Sequence, residues 1–118
     1  MAEVGRNSLA TTIITVEEQI QGRFQIIKRA SGGEKLIGAY ADLQNTIGYF
    51  TTFQVLPFDS VANVYYEALQ RQKVRIGTQD LRIAAIVLSV RGILVTRNWR
   101  DFGKISDLVL EDWSSGKR

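Results

Sequence analysis

Leu9-Ala10-Thr11-Thr12-Ile13-Ile14-Thr15-Val16-Glu17-Glu18 is the stretch whose reading decides the fold. Leu9 to Thr15 is short and rich in β-branched residues, the composition of a strand. Thr15 followed three residues later by Glu18 has the form of a capping box, in which a hydroxyl and a carboxylate close the first turn of a helix. Behind it Val16, Ile20, Phe24 and Ile27 recur at helical spacing until Ser31-Gly32-Gly33 stops the run. A strand passing straight into a helix is the opening of an α/β unit, and the rest of the chain repeats the alternation.

Leu36, Tyr40, Leu43, Ile47 and Phe50 mark one face of a second helix. Phe53-Gln54-Val55-Leu56 reads as a strand that Pro57 ends, because proline has no donor for a ladder. Asp59 is placed to cap a helix carrying Val61, Val64, Ala68 and Leu69, and the segment Arg71 to Gly77 forms a turn. Thr78 is expected to cap an apolar helix, Asp80 to Val90, which Gly92 ends. Ile93-Leu94-Val95-Thr96 is a strand covered on both faces, Asn98 opens a helical turn to Phe102, and Leu108 to Glu111 is a last strand. This order predicts an α/β fold, a mainly parallel sheet flanked by helices, in one domain over residues 1–118 with residues 1–8 as a flexible tail. In such sheets ligands bind beyond the carboxyl ends of the strands.

Composition narrows the chemistry. The 118 residues contain neither cysteine nor histidine, which excludes disulfides, thiol nucleophiles, Cys/His zinc sites and imidazole acid–base catalysis. Carboxylates, Lys, Arg, Tyr and hydroxyls remain, and the metals that suit them are hard cations such as Mg²⁺ or Mn²⁺. The net charge of +3 is unevenly spread: residues 1–59 hold 5 Lys/Arg against 6 Asp/Glu (−1), and residues 60–118 hold 10 against 6 (+4). A basic half with acids embedded in it suits a polyanionic substrate. The longest apolar run, Ile83 to Leu88, is far short of the ~20 residues a membrane helix needs. With no secretory signal in the first residues, a cytoplasmic protein that does not bind membranes is expected.

Four acidic or amide positions fall at helix starts or just past strands: Glu18, Asp59, Asp80 and the pair Asn98/Asp101. Carboxylates brought to one rim repel and raise each other's pKa unless a cation sits among them, so convergence would mean a divalent metal site. Each also has a purely structural explanation. Glu18 can be the capping-box partner of Thr15, Asp59 an N-cap, and Asp80 a first-turn acid stabilised by the helix dipole by about 0.3–1 kcal/mol. Asp101 can pair with Arg97 or Arg100 on the surface, a contact worth about 0–1 kcal/mol.

Three segments resemble those of the PIN-domain family, in particular its VapC-like toxins. Thr11 to Gly22 resembles the family's strand-then-helix segment, in which an acid stands four residues before a glycine, and this selects Glu18. Ile76-Gly77-Thr78-Gln79-Asp80-Leu81-Arg82-Ile83-Ala84-Ala85 resembles the Gly-x-x-Asp-x-x-Ile-Ala-Ala helix start. Leu94-Val95-Thr96-Arg97-Asn98-Trp99-Arg100-Asp101-Phe102 resembles the Thr-x-Asn-x-x-Asp-Phe segment. The match runs from about Leu9 to Trp113. It departs from the family in lacking the first strand, which ends in a metal-site Asp and sits mid-sheet.

The resemblance implies a Mg²⁺- or Mn²⁺-dependent ribonuclease of toxin–antitoxin type that cleaves structured RNA such as transfer RNA. Glu18, Asp80 and Asp101 would hold the metal, and Asn98 would orient a ligand or water. Thr96 and Thr78 would support them, and Lys73, Arg82, Arg97 and Arg100 would contact RNA phosphates. A cognate antitoxin and a homodimer are the implied partners. Without the first Asp, impaired cleavage is expected, and the alternative is a non-catalytic remnant that binds RNA or an antitoxin. Over the missing strand, either the strands at Leu9–Thr15 and Ile93–Thr96 close on each other or a second copy covers the gap.

Overall fold

A computed structural model of the chain describes residues 2–3 and 9–112. The elements are β1 (Ala2–Glu3), β2 (Leu9–Thr12), α1 (Ile13–Arg29), α2 (Gly33–Phe50), β3 (Gln54–Leu56), α3 (Ser60–Arg71), α4 (Thr78–Ser89), β4 (Ile93–Val95), α5 (Trp99–Phe102) and β5 (Val109–Glu111). The α/β class is as expected, with the sheet in the order β3-β2-β1-β4-β5. β2 runs parallel to β3 and β4 parallel to β5. β1 is antiparallel to both neighbours, pairing Ala2 with Ala10 and Leu94, and Glu3 with Leu9 and Ile93.

The slot between β2 and β4 is therefore filled from within the chain, which corrects both closures expected over the gap. Ala2 and Glu3 belong to the sheet; the rest of the segment read as a flexible tail, Met1 and residues 4–8, lies outside the described residues. Five residues separate Glu3 from Leu9. A parallel partner would need a crossover of a dozen residues or more, so a neighbour this close in sequence can pair only antiparallel. Bare strands on both sides of the slot would leave backbone groups unpaired, and two residues of β1 answer part of that demand.

The strand-to-helix junction lies three residues earlier than the sequence suggested. Thr12 keeps extended backbone (φ −103°, ψ 155°), and its hydroxyl accepts from the Thr15 N–H at 3.1 Å, so Thr12, not Thr15, is the N-cap of α1. Thr15 is then the third helical residue, its hydroxyl 3.1 Å from that of Thr12. Glu18 falls in the second turn, outside the cap. Asp59 caps α3 as expected, accepting from the Ala62 N–H at 2.9 Å. Gly77, not Thr78, precedes α4 without a side-chain cap. At its far end Arg91 takes the left-handed turn (φ 54°) and Gly92 donates back to the Val87 carbonyl at 3.0 Å. Glycine at 91 would lose the left-handed strain and add unfolded-state freedom, so Arg91→Gly is expected to stabilise on the order of 0.5 kcal/mol, read by urea melts.

The core sits where α4 crosses the sheet. Ala84, Ala85, Ile86 and Val87 are fully buried, with Leu81 and Ile83 nearly so, against Ala10, Leu56, Leu69, Leu94 and Phe102. The apolar surface of α4 is thus satisfied inside one chain. On α3 the buried residues are Ala62 and Leu69, while Val61 and Val64 face solvent. The α1–α2 hairpin is the thinnest part: Ile14 and Ala39 are its only buried residues among those described. No helix of the described residues is long and apolar enough to cross a membrane.

Candidate functional site

β2 and β4 flank β1 and are both antiparallel to it, so their carboxyl ends open on one edge of the sheet. α1 leaves the end of β2 and carries Glu18; α5 follows the end of β4 and carries Asp101. α4 starts with Asp80 in its first turn. The same local rule acts twice: β2 and β4 end, Thr12 and Asn98 cap the helices that follow, and Glu18 and Asp101 are delivered within their first two turns, while Asp80 arrives from the turn that joins α3 to α4.

The acids interact through Asp80. Burial first, then the negative charge of Asp101, holds the Asp80 carboxyl above its ordinary pKa. Glu18 is raised by burial, then by Asp80 and by Glu17. Glu18 remains exposed, so solvent screens much of its share. An acid in a helix's first turn would ordinarily be favoured in its charged form by the dipole. For Asp80 the opposite direction wins, so burial and the neighbouring carboxylate outweigh the dipole.

An acid whose folded pKa is raised costs nothing below its unfolded pKa, where both states are protonated. The penalty grows as pH rises through the folded value. Asp80→Asn is therefore expected to leave the melting temperature unchanged near pH 3 and to raise it slightly at pH 7. A lower melting temperature at pH 7 would make Asp80 a structural cap.

Asp101 is fixed in place by its neighbours. Asn98 caps α5, its side-chain oxygen accepting from the Asp101 N–H at 3.3 Å, while Asn98 Nδ2 donates to Asp101 Oδ2 at 3.1 Å. Thr96 Oγ1 accepts from the Asn98 N–H at 3.0 Å, so this threonine supports the site as the motif suggested. Lys104, not Arg97 or Arg100, is the cation beside Asp101: its Nζ lies 3.7 Å from Oδ1 and donates to the Arg75 carbonyl at 2.8 Å. Gly103 closes this turn, since a Cβ there would meet the Trp99 carbonyl oxygen at 2.5 Å.

A second link was not legible in the motifs. Gln79 Nε2 donates to Glu17 Oε1 at 2.8 Å, tying α4 to α1 beside the two acids Asp80 and Glu18. Arg82 donates to Gln79 Oε1 at 2.9 Å and stacks over Tyr66 at 5.5 Å, so this guanidinium is engaged in the scaffold. Glu17 is thereby occupied, and Glu18 is the one turned toward Asp80. Arg97 and Arg100 are exposed around α5. Lys73 stands beyond the far end of the 12-residue α3, about 18 Å along that helix from its start. Two residues on from Lys73, the Arg75 carbonyl accepts from Lys104, the lysine beside Asp101.

Among the described residues no group of three acids closes around one point as a metal cage. Mg²⁺ commonly takes one or two carboxylates and keeps several waters. Oxygen-only donors whose charged forms are raised in energy by burial and mutual repulsion fit such a partly hydrated cation, which would relieve both.

No family model matches the chain. It is 29% identical over 69 residues to Ribonuclease VapC2 of Rickettsia felis, a match covering 55% of this chain and 52% of that protein. The chain thus spans about half the length of this relative. It is 26% identical over 123 residues to the tRNA(fMet)-specific endonuclease VapC of Salmonella typhimurium, covering 91% of this chain and 93% of that one. The fold superposes on the VapBC2 complex of Rickettsia felis bound to a DNA fragment from its promoter, with a TM-score of 0.69 at 25% identity, over 92% of this chain and 77% of that one.

Proposed function

From a chain that is a VapC-like PIN domain, we propose a metal-dependent endoribonuclease of toxin–antitoxin type, acting on structured RNA such as transfer RNA. The observation that carries this reading is the electrostatic coupling of Glu18 and Asp101 through Asp80, three acids from three separate elements.

Asp80 and Glu18 would hold Mg²⁺ or Mn²⁺, with Asp101 reaching it directly or through water. Such an ion, when bound, activates water and offsets charge on the phosphate. The chain's own residues do the positioning. Asn98 holds the Asp101 carboxylate at a set angle, Thr96 holds Asn98, and the Gln79–Glu17 bond keeps α1 and α4 at a set spacing. Arg97 and Arg100, exposed beside α5, and exposed Lys73 would take RNA phosphates without reading sequence, while Arg82 is engaged with Gln79 and Tyr66. An antitoxin would be the protein partner, as in the VapBC complexes the fold resembles.

Incubation of the purified chain with transfer RNA, with Mg²⁺ and with EDTA, tests the reading. Cleavage only with the metal supports it. The competing reading is a module that binds RNA or an antitoxin without cutting, favoured by the lack of a three-acid cage among the described residues. Salt-dependent RNA binding with no cleavage in Mg²⁺ would select it.

Pairing of two copies would use the exposed α3 stripe of Val61, Val64 and Tyr65, now that α4 is buried. Val64→Glu should then shift the mass in light scattering from two chains to one. A single-chain mass for the parent would remove the dimer.

A further inference from the structure

We infer that the cleft between α1 and α2 is a nucleotide subsite, taking a guanosine of single-stranded RNA. The inference deepens the ribonuclease reading and rests on it for the identity of the polymer.

The cleft encloses about 450 Å³, within the range of small-molecule sites, and is lined by Thr11, Gln19, Arg23, Asp42, Asn45 and Tyr49 among others. A helix–helix seam of a small domain is ordinarily apolar. This one keeps an apolar lining that includes Phe50 and Tyr49 but sets Arg23, Asp42 and Asn45 into it, and several of those polar groups are left open. Arg23 Nε donates to Thr46 Oγ1 at 3.0 Å, and Thr46 Oγ1 donates to the Asp42 carbonyl at 2.8 Å. That chain of bonds pins the guanidinium at one nitrogen and leaves its terminal fork without a partner among the described residues. Asp42 lines the same cleft, and no ion pair joins it to Arg23. Beneath them Thr11 is 1% exposed, and its hydroxyl is buried with no hydrogen-bond partner. A buried hydroxyl left unpaired is costly, and a polar occupant of the cleft would supply what it lacks.

The open groups match the parts of a nucleotide. A guanidinium fork suits a phosphate. Tyr49 is held edge-on by Phe50 (5.5 Å) and Phe53 (5.0 Å) but stays 57% exposed, a rigid ring against which a base can stack. The Asp42 carboxylate only accepts, so it favours a base edge with adjacent donors, as guanine N1–H and N2–H₂ provide. Uracil presents a single donor between two carbonyls, which a carboxylate repels. Gln19, which lines the cleft, follows Glu18 directly on α1, so the cleft and an acid of the rim share one helix.

The test is a titration of the ¹⁵N-labelled full chain with guanosine 5′-monophosphate and, separately, uridine 5′-monophosphate. Saturable amide shifts at Thr11, Arg23, Asn45 and Thr46 are expected with the guanosine nucleotide, and binding of the uridine nucleotide weaker by roughly tenfold or more. Arg23→Gln should weaken both. Asp42→Asn, which breaks no side-chain contact of the described residues, should erase the preference. Equal binding of both nucleotides, shifts confined to Asp80 and Asp101, or an unchanged preference in Asp42→Asn would overturn the inference. So would silence toward both nucleotides with a co-purified antitoxin chain protecting the same amides, which assigns the cleft to a protein. Nucleotide binding without RNA cleavage would keep the cleft and remove the ribonuclease reading, whereas cleavage with a silent cleft would remove the cleft alone.

Discussion

Asp80→Asn is expected to lower metal-dependent RNA cleavage by about 10²–10³-fold, the usual cost of removing one preorganised charge from the reacting centre. Asp80 is the acid through which the others communicate: Glu18 senses it, and it senses Asp101. Asparagine keeps the shape of the side chain and removes the charge, and the fold loses nothing by it, because the Asp80 carboxylate is penalised in the folded state. The loss would therefore appear in single-turnover cleavage with no fall in melting temperature. Added Mn²⁺ should raise the melting temperature of the parent more than that of the variant, since an ion that binds only the folded state stabilises it. Asp59→Asn is the matched control: asparagine caps a helix as well as aspartate, and α3 needs only that cap. Full cleavage by Asp80→Asn, with Asp59→Asn also active, would detach the acid rim from the reaction.

Ile86→Ala is expected to destabilise the fold by about 2–5 kcal/mol, a large share of the 5–15 kcal/mol that holds a typical domain. Ile86 is fully buried on α4, in the contiguous core that includes Ala10 of β2, Leu94 of β4 and Leu56 of β3, and it is among the largest fully buried side chains. Truncation removes its transfer free energy and leaves a cavity that helix and sheet cannot both collapse into. Val64→Ala, at a position 61% exposed on α3, should stay within about 0.5 kcal/mol. Urea titration should show a lower midpoint for Ile86→Ala at an unchanged slope, and comparable midpoints for both variants would mean that α4 is not the centre of the core.

The order of strands and helices was legible because hydrophobic periodicity and turn residues act over a few neighbours. The apolar run Ile83 to Leu88 can only be interior, Pro57 can only end a strand, and Asp59 before Ser60 can only open a helix. Glu18, Asp80, Asn98 and Asp101 were legible as candidates because spacing to a strand end or a helix start is a local property. Which hydroxyl caps α1 was less so: Thr12 and Thr15 have the same chemistry, and only the backbone at Thr12, extended by its place beside β3, decides between them.

Tertiary structure alone decided the rest, because each remaining feature joins groups far apart in the chain. Asp80 meets Glu18 and Asp101 only because β2 and β4 run the same way on either side of β1. Gln79 reaches Glu17 across 62 residues, and Lys104 reaches Arg75 across 29. No local pattern encodes such a pairing. The filling of the central slot is the clearest case. Ala2 and Glu3 carry little strand signal of their own, and they become a strand because unpaired backbone on both sides makes pairing favourable. Sequence by itself set which segments would be strands, helices and acid-bearing turns. Packing set which of them became neighbours, since backbone hydrogen bonds and buried area are satisfied only by the chain as a whole.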